Sequence, residues 1–237
     1  MKRFYTDVTV AKVGGSGARS GWIVSLDGRP LKSQGGRPQI VPTAALADLL
    51  AAEWRDQGEE LDPGGFAFRD MSDYAIDVVD TDPDALVDKL AGYGETDTLC
   101  YRADPEEPLF RRQHEVWEPL LAAVEQREGI ALHRISGVVH RAQPAQAIAK
   151  LRRRIVALDP FRLVALEQIV SLSASLAIGM AALEPDAAGE DLWVAANLEE
   201  DWQADLWGRD EDADARRERR RGHFLKALRF LRAIEEG

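Results

Sequence analysis

Strand-like alternation is concentrated in the first forty residues of this chain and helical spacing dominates beyond Asp82-Pro83, which points to a small sheet followed by a helical body. Near the start, Thr6, Val8 and Val10 alternate with Asp7 and Thr9, the period of two that suits a half-buried strand. Trp22-Ile23-Val24-Ser25-Leu26 runs into Asp27-Gly28, a dipeptide fitted to a type I′ hairpin, so Arg29 to Lys32 is expected to return beside it. Gly14-Gly15-Ser16-Gly17 reads as a flexible connection, and Gly35-Gly36 as a loop leading to Gln39-Ile40-Val41. A helix is expected over Ala44 to Gln57, with Thr43 as N-cap and Gly58 as stop. Leu46, Leu49, Leu50 and Trp54 share its one apolar face, which would cover the sheet. A second apolar run holds Met71, Tyr74, Ala75, Val78 and Val79.

Beyond Asp82, with Pro83 at a first helical position, spacings of three and four dominate. Leu86, Leu90 and Tyr93 form one stripe. Leu109, Val116, Trp117, Leu120, Leu121 and Val124 form another, which Pro119 is expected to kink or split. Leu132 to His140 reads as a strand pair around Ser136-Gly137. Ala147, Leu151, Ile155 and Leu158 make a further stripe ending before Asp159-Pro160. Phe161 to Leu183 is apolar nearly all round and is expected as one helix in the middle of a bundle. Helices over Gly189 to Trp207 and Asp212 to Ile234 complete the set. The predicted class is α+β: a β-rich N-terminal domain with a covering helix over residues 1–82, then a larger helical domain over 83–237. There is no internal repeat.

Charge excludes some partners. Against 30 Lys and Arg stand 41 Asp and Glu, a net charge of −11, so the chain should repel phosphate backbones and anionic lipid; nucleic acid is not an expected partner. Arg216, Arg217, Arg219, Arg220 and Arg221 follow Asp210, Glu211, Asp212 and Asp214, the order that a helix dipole favours. With Asp212 and Arg216 as an i,i+4 pair, this stretch reads as a solvated helix. Ile169 to Leu183 is interrupted by Ser171, Ser173 and Ser175 and is too short to span a bilayer, so no membrane insertion is expected. Met1-Lys2-Arg3 passes into Phe4-Tyr5-Thr6 without a signal-peptide pattern, and Cys100 is the lone cysteine. Both fit a reducing, cytoplasmic setting.

Reactive constellations are hard to find. Gly15-Ser16-Gly17 begins like a phosphate-binding pattern, but the next glycine, Gly21, comes one residue late and strand alternation follows. Neither a Gly-x-x-x-x-Gly-Lys loop nor a Gly-x-Ser-x-Gly elbow occurs. Of the histidines, His114, His133, His140 and His223, only His133 and His140 could approach each other, across a hairpin, and without a companion carboxylate they make a poor metal site. Cys100 reads as a small buried hydrophobe. Catalytic residues, metal and cofactor are accordingly expected to be none.

Residues 198–211 crowd carboxylates around two tryptophans. Leu198, Trp202 and Leu206 share a helical stripe, so Trp202 should point into a core while Glu199, Asp201 and Asp205 stay solvated. Gly208 offers a stop. Trp207, displaced from the stripe, would make an aromatic anchor ringed by acids if exposed, the form of a protein-binding patch. A plain core tryptophan beside a solvated acidic run is the competing reading.

Taken in order, several segments resemble one family, the assembly chaperones that bind the alpha subunit of the ATP synthase catalytic (F1) sector. The matching pieces begin with Phe4-Tyr5, Leu26-Asp27-Gly28-Arg29-Pro30-Leu31-Lys32, Val41-Pro42 and Glu53-Trp54 with Gln57. They continue with Tyr93, Glu95-Thr96-Asp97, Leu99-Cys100-Tyr101-Arg102, Gln113, Trp117-x-Pro119-Leu120-Leu121 and Gln143-Pro144. Leu198-Glu199-Glu200-x-Trp202-Gln203 and Trp207-Gly208 with Glu211 close the series. The resemblance implies a β-rich N-terminal domain, a helical C-terminal domain, and a non-enzymatic role: holding new alpha subunits until the beta subunit takes over. It also implies a partner-binding role for Glu199, Glu200 and Glu211, beside Trp202 and Trp207, in a protein that is monomeric when free. Ala213, Asp214 and the arginine run depart from the family pattern, and Trp202 stands where another aromatic is usual. Asp27-Gly28 and Trp54 read as structural, turn and core respectively. Two other classes stay open: a hydrolase or lyase using acids with His133 or His140, and a scaffold self-associating through its acidic face and its arginine-rich helix.

Overall fold

The computed structural model describes residues 1–14, 20–137, 141–208 and 210–236. Its contacts define two units. The first comprises Met1–Pro83, Asp159–Ala165 and Lys226–Gly237; the second comprises Asp84–Leu158 and Leu166–Leu225. A single boundary near residue 82 therefore leaves out two later segments that pack with the N-terminal residues. Sequence periodicity could not place them, because it reports which face of a helix is apolar and not what that face meets.

The first unit is built on an antiparallel sheet ordered β1 (Val8–Val13), β2 (Gly21–Leu26), β3 (Arg29–Pro30). Val8 pairs with Leu26, and Leu26 also pairs with Arg29, which closes the turn at Asp27-Gly28. Both turn residues have positive φ, 47° and 76°, as a type I′ turn requires. Asp27 also accepts from the Asp7 N–H at 2.8 Å and the Thr6 N–H at 3.1 Å, and these two donors hold its carboxyl below the usual range. Helix α1 (Ala44–Arg55) packs on β1 and β2 through buried Leu46, Leu50 and Trp54. Thr43 caps it, accepting from the Leu46 N–H at 3.1 Å.

Glu53-Trp54 with Gln57 is a structural motif. The Glu53 carboxylate accepts from Phe68 and Arg69 N–H, at 2.7 and 2.9 Å, at the start of α2 (Ala67–Tyr74). Trp54 lies between Tyr5 and Phe66, at ring distances of 5.4 and 4.6 Å. Gln57 accepts from the Asp62 N–H. A wide π turn over Ala75–Val79 ends this run.

The second unit starts with α3 (Asp84–Glu95) and α4 (Pro108–Glu128); α4 continues through Pro119 as one helix and ends at Gly129, φ 62°. Between them Tyr101–Arg102 forms β4, which pairs in parallel with β5 (Ile135–Ser136). The expected strand pair around Ser136-Gly137 thus takes a distant partner; Val138, Val139 and His140 lie outside the described residues, as does the Gly15 to Gly17 loop. Helices α5 (Ala145–Val156), α6 (Pro160–Ser173), α7 (Leu176–Ala182), α8 (Gly189–Ala196), α9 (Leu198–Trp207) and α10 (Glu211–Glu235) follow. The division between units falls within α6 and within α10.

The single helix expected over Phe161 to Leu183 is broken at Ala174, φ 50°. Polar side chains explain the break. Ser175 accepts from the Ile178 N–H at 3.1 Å and caps α7, while its hydroxyl donates to fully buried Asp97 at 2.8 Å. Asp97 also accepts from the N–H of Ala177 and of Leu99. Burial raises its pKa, against these donors. The serines that interrupt the apolar run thereby end one helix and start the next.

Candidate functional site

Helix α9 carries the acidic tryptophan segment, and only Leu198 in it is buried. Trp202, expected inward, is half-buried and lines an open cavity of about 650 Å³ with Pro105, Phe110, Arg111 and His114 among its walls. The Phe110 and His114 rings stack 6.3 Å apart along one side. Leu206, also expected on the buried stripe, is 62% exposed, and Trp207 is 86% exposed. The stripe fails because α9 meets the core only at its first turn. Gly208 ends the helix with φ 95°, and Asp210 caps α10 through the Ala213 N–H at 2.8 Å. Trp207 is therefore held at the rim of a short two-helix corner.

The acids of the first turn are each engaged by a neighbouring side chain, although Glu199 and Glu200 stay exposed. Glu199 Oε1 accepts from Gln113 Nε2 at 2.6 Å, Glu200 pairs with Arg220 at 3.4 Å, and Asp201 pairs with Arg217 at 2.6 Å. Arg217 and Arg220 also lie over the Trp193 ring, at 5.8 and 5.7 Å, and Arg221 Nε reaches Glu190 at 2.9 Å. The arginine run stays on a solvated face, with Arg216, Arg219 and Arg220 exposed, while Arg217, Arg220 and Arg221 reach α8 and α9 through charge and the indole face. Glu211 begins α10 and is exposed.

Beneath α9, residues scattered in sequence meet on α4. Gln113 and Trp117 are buried one turn apart; Trp117 Nε1 donates to Ala195 O at 2.7 Å, and the Arg102 guanidinium lies 5.1 Å from the Trp117 ring centre. Arg102 donates to Gln113 O at 2.9 Å and to Glu118 at 3.2 Å. Arg134 bonds both Glu118 and Glu125. Burial works to raise the Glu118 pKa, but Arg134 and Arg102 outweigh it and hold the carboxyl below its ordinary value. Arg102, Gln113 and Trp117 were present in the sequence as isolated motif residues; no spacing rule joins residue 102 or 113 to 199.

Other candidates lie elsewhere. The His133 ring sits 3.1 Å from Ala142 O and its backbone is bonded to Gln143, while His140 is outside the described residues. Cys100 is buried, and burial, then the Asp97 charge, pushes its thiol up to about 12. Among the described residues no cluster of His, Cys, Asp or Glu could hold a metal ion, and no helix is long and apolar enough to cross a membrane.

A sheet-bearing unit, a helical unit and a helix corner presenting tryptophan and acid define the class. Residues 2–125 match the ATP12 chaperone proteins. Atp12 from Paracoccus denitrificans is similar at 35% identity over 98% of each chain, with a TM-score of 0.91. The Agrobacterium tumefaciens protein Atu1473 is 36% identical over 99% of this chain and 85% of that one, with a TM-score of 0.89. Mitochondrial protein atp12 of Schizosaccharomyces pombe is 28% identical over 203 residues, 81% of this chain and 70% of its own. The chain belongs to the ATP12 chaperone family, the assembly chaperones of ATP synthase.

Proposed function

We propose that this chain binds the alpha subunit of the ATP synthase F1 sector and passes it to the beta subunit, without catalysing a reaction. The observation that carries this reading is Trp207, 86% exposed beside 62% exposed Leu206 at the end of an acidic helix. Two adjacent large apolar side chains in water, ringed by carboxylates, have the form of an interface anchor, and a client with an exposed subunit interface needs such a cover. Trp202 and its cavity, with Glu200 and Glu211, extend the proposed face.

Release is a competition. The sequence offers no nucleotide loop to drive it, so the exchange runs downhill when beta buries a better matched surface on alpha than the chaperone does. The decisive experiment co-expresses alpha with and without this chain, then adds beta. Alpha should be soluble only with the chaperone, and beta should displace it; alpha equally soluble alone sinks the proposal.

A further inference from the structure

We infer that Gln113 is a positioning residue for client capture, and that Glu199 acts by accepting its hydrogen bond and not by offering charge to the client. The inference rests on the alpha-subunit reading above. Gln113 is completely buried, and its amide can be oriented in one way only. The Ala103 N–H, 2.8 Å away, can only donate, so it fixes Gln113 Oε1 as its acceptor. Nε2 must then face α9, where Glu199 Oε1 receives it at 2.6 Å. The backbone beneath is pinned as well, because Gln113 O accepts from buried Arg102. What position 199 must supply is an acceptor.

This bond and a second, from Trp117, register the α8–α9 segment on α4. Trp117, one turn beyond Gln113, holds Ala195 O, one turn before Glu199. Trp202, three residues past Glu199, consequently faces the cavity that is also lined by Phe110 and His114, the α4 residues flanking Gln113. An alanine at 199 removes the acceptor of the Gln113 amide, and a lysine sets donor against donor. Reversing the charge at this position would thus disturb α9 whether or not any client reads that charge. Glutamine separates the two, since it keeps the acceptor and loses the charge.

The test compares Glu199→Gln, Glu199→Ala, Gln113→Ala and the double alanine variant, by capture of purified alpha subunit and by hydrogen exchange over residues 198–207. Glu199→Gln should capture like the parent and leave exchange unchanged. Each alanine variant should lose about tenfold or more in affinity and exchange faster, and the double variant should lose no more than Gln113→Ala alone, which already removes the shared bond. Glu199→Ala, altering an exposed residue, carries the test if Gln113→Ala folds poorly. If Glu199→Gln loses capture as fully as Glu199→Ala while its exchange stays parental, the charge itself meets the client and the inference fails, although the client reading stands. If even the parent does not bind alpha, the client reading fails. Exchange then judges the clamp alone: equal rates in the parent and both alanine variants overturn it, and faster rates restored by glutamine uphold it.

Discussion

Trp202 and Trp207 lie five residues apart on one helix and meet opposite surroundings, which separates what each can contribute. Trp202 is a wall of a cavity, so truncating it would change packing and any contact together. Trp207 touches the fold little, being 86% exposed. Trp207→Ala is therefore expected to weaken alpha-subunit capture by about tenfold or more, the loss of one interface anchor, while the urea midpoint of unfolding stays unchanged. A parental capture constant would remove Trp207 from the interface. Cys100 makes the opposite case, a reactive residue type disarmed by its setting. With its thiol pushed up to about 12 and its side chain buried, it should resist a thiol-exchange reagent at about pH 8 in the native state and react after denaturation.

Among the elements, the α6–α7 break shows how one carboxylate organises several segments. Asp97 receives the Ser175 hydroxyl, the Ala177 N–H and the Leu99 N–H, so it joins the short turn before β4 to the start of α7. Asp97→Ala removes the acceptor for all of these buried donors, and a loss of about 3 kcal/mol is expected in chemical denaturation. A loss below about 1 kcal/mol would mean that solvent or a neighbouring group satisfies them instead. Here the Glu-Thr-Asp motif piece has a purely architectural explanation. Much of the periodicity was legible in the same way: Thr43, Leu46, Leu50 and Trp54 behave as the spacing predicts. Phe161 to Leu183 and the Leu198, Trp202, Leu206 stripe do not. In both cases the deciding interactions, Asp97 with Ser175 and Gln113 with Glu199, come from residues far away in sequence.

For the whole molecule, pH and concentration give the sharpest tests. Burial raises the Glu53 pKa from 4.5 to about 7, against the Phe68 and Arg69 amides that favour the charged form. A raised folded-state pKa means that the native state binds the extra proton. Stability from this group is thus complete below pH 4.5 and is lost as pH rises toward 7. The fall should be on the order of 3 kcal/mol, and Glu53→Gln should flatten that part of the stability profile. A parental profile in the variant would locate the titration elsewhere. Self-association is a separate matter: Arg217, Arg220 and Arg221 already pair with Asp201, Glu200 and Glu190 of their own chain, which leaves them poorly placed to bind the acidic face of a second copy. Sedimentation over a hundredfold range of concentration should therefore show one monomeric species. A concentration-dependent shift would revive the scaffold reading.

By itself the sequence determined the α+β class, the Asp27-Gly28 turn, the covering helix and the family, because each depends on local spacing or on the order of short motifs. Tertiary structure alone decided which acids are engaged, where Trp202 points, and that Gln113 lies under Glu199. Those facts depend on which side chains meet across helices, and hydrogen-bond partners 86 residues apart leave no period in the chain.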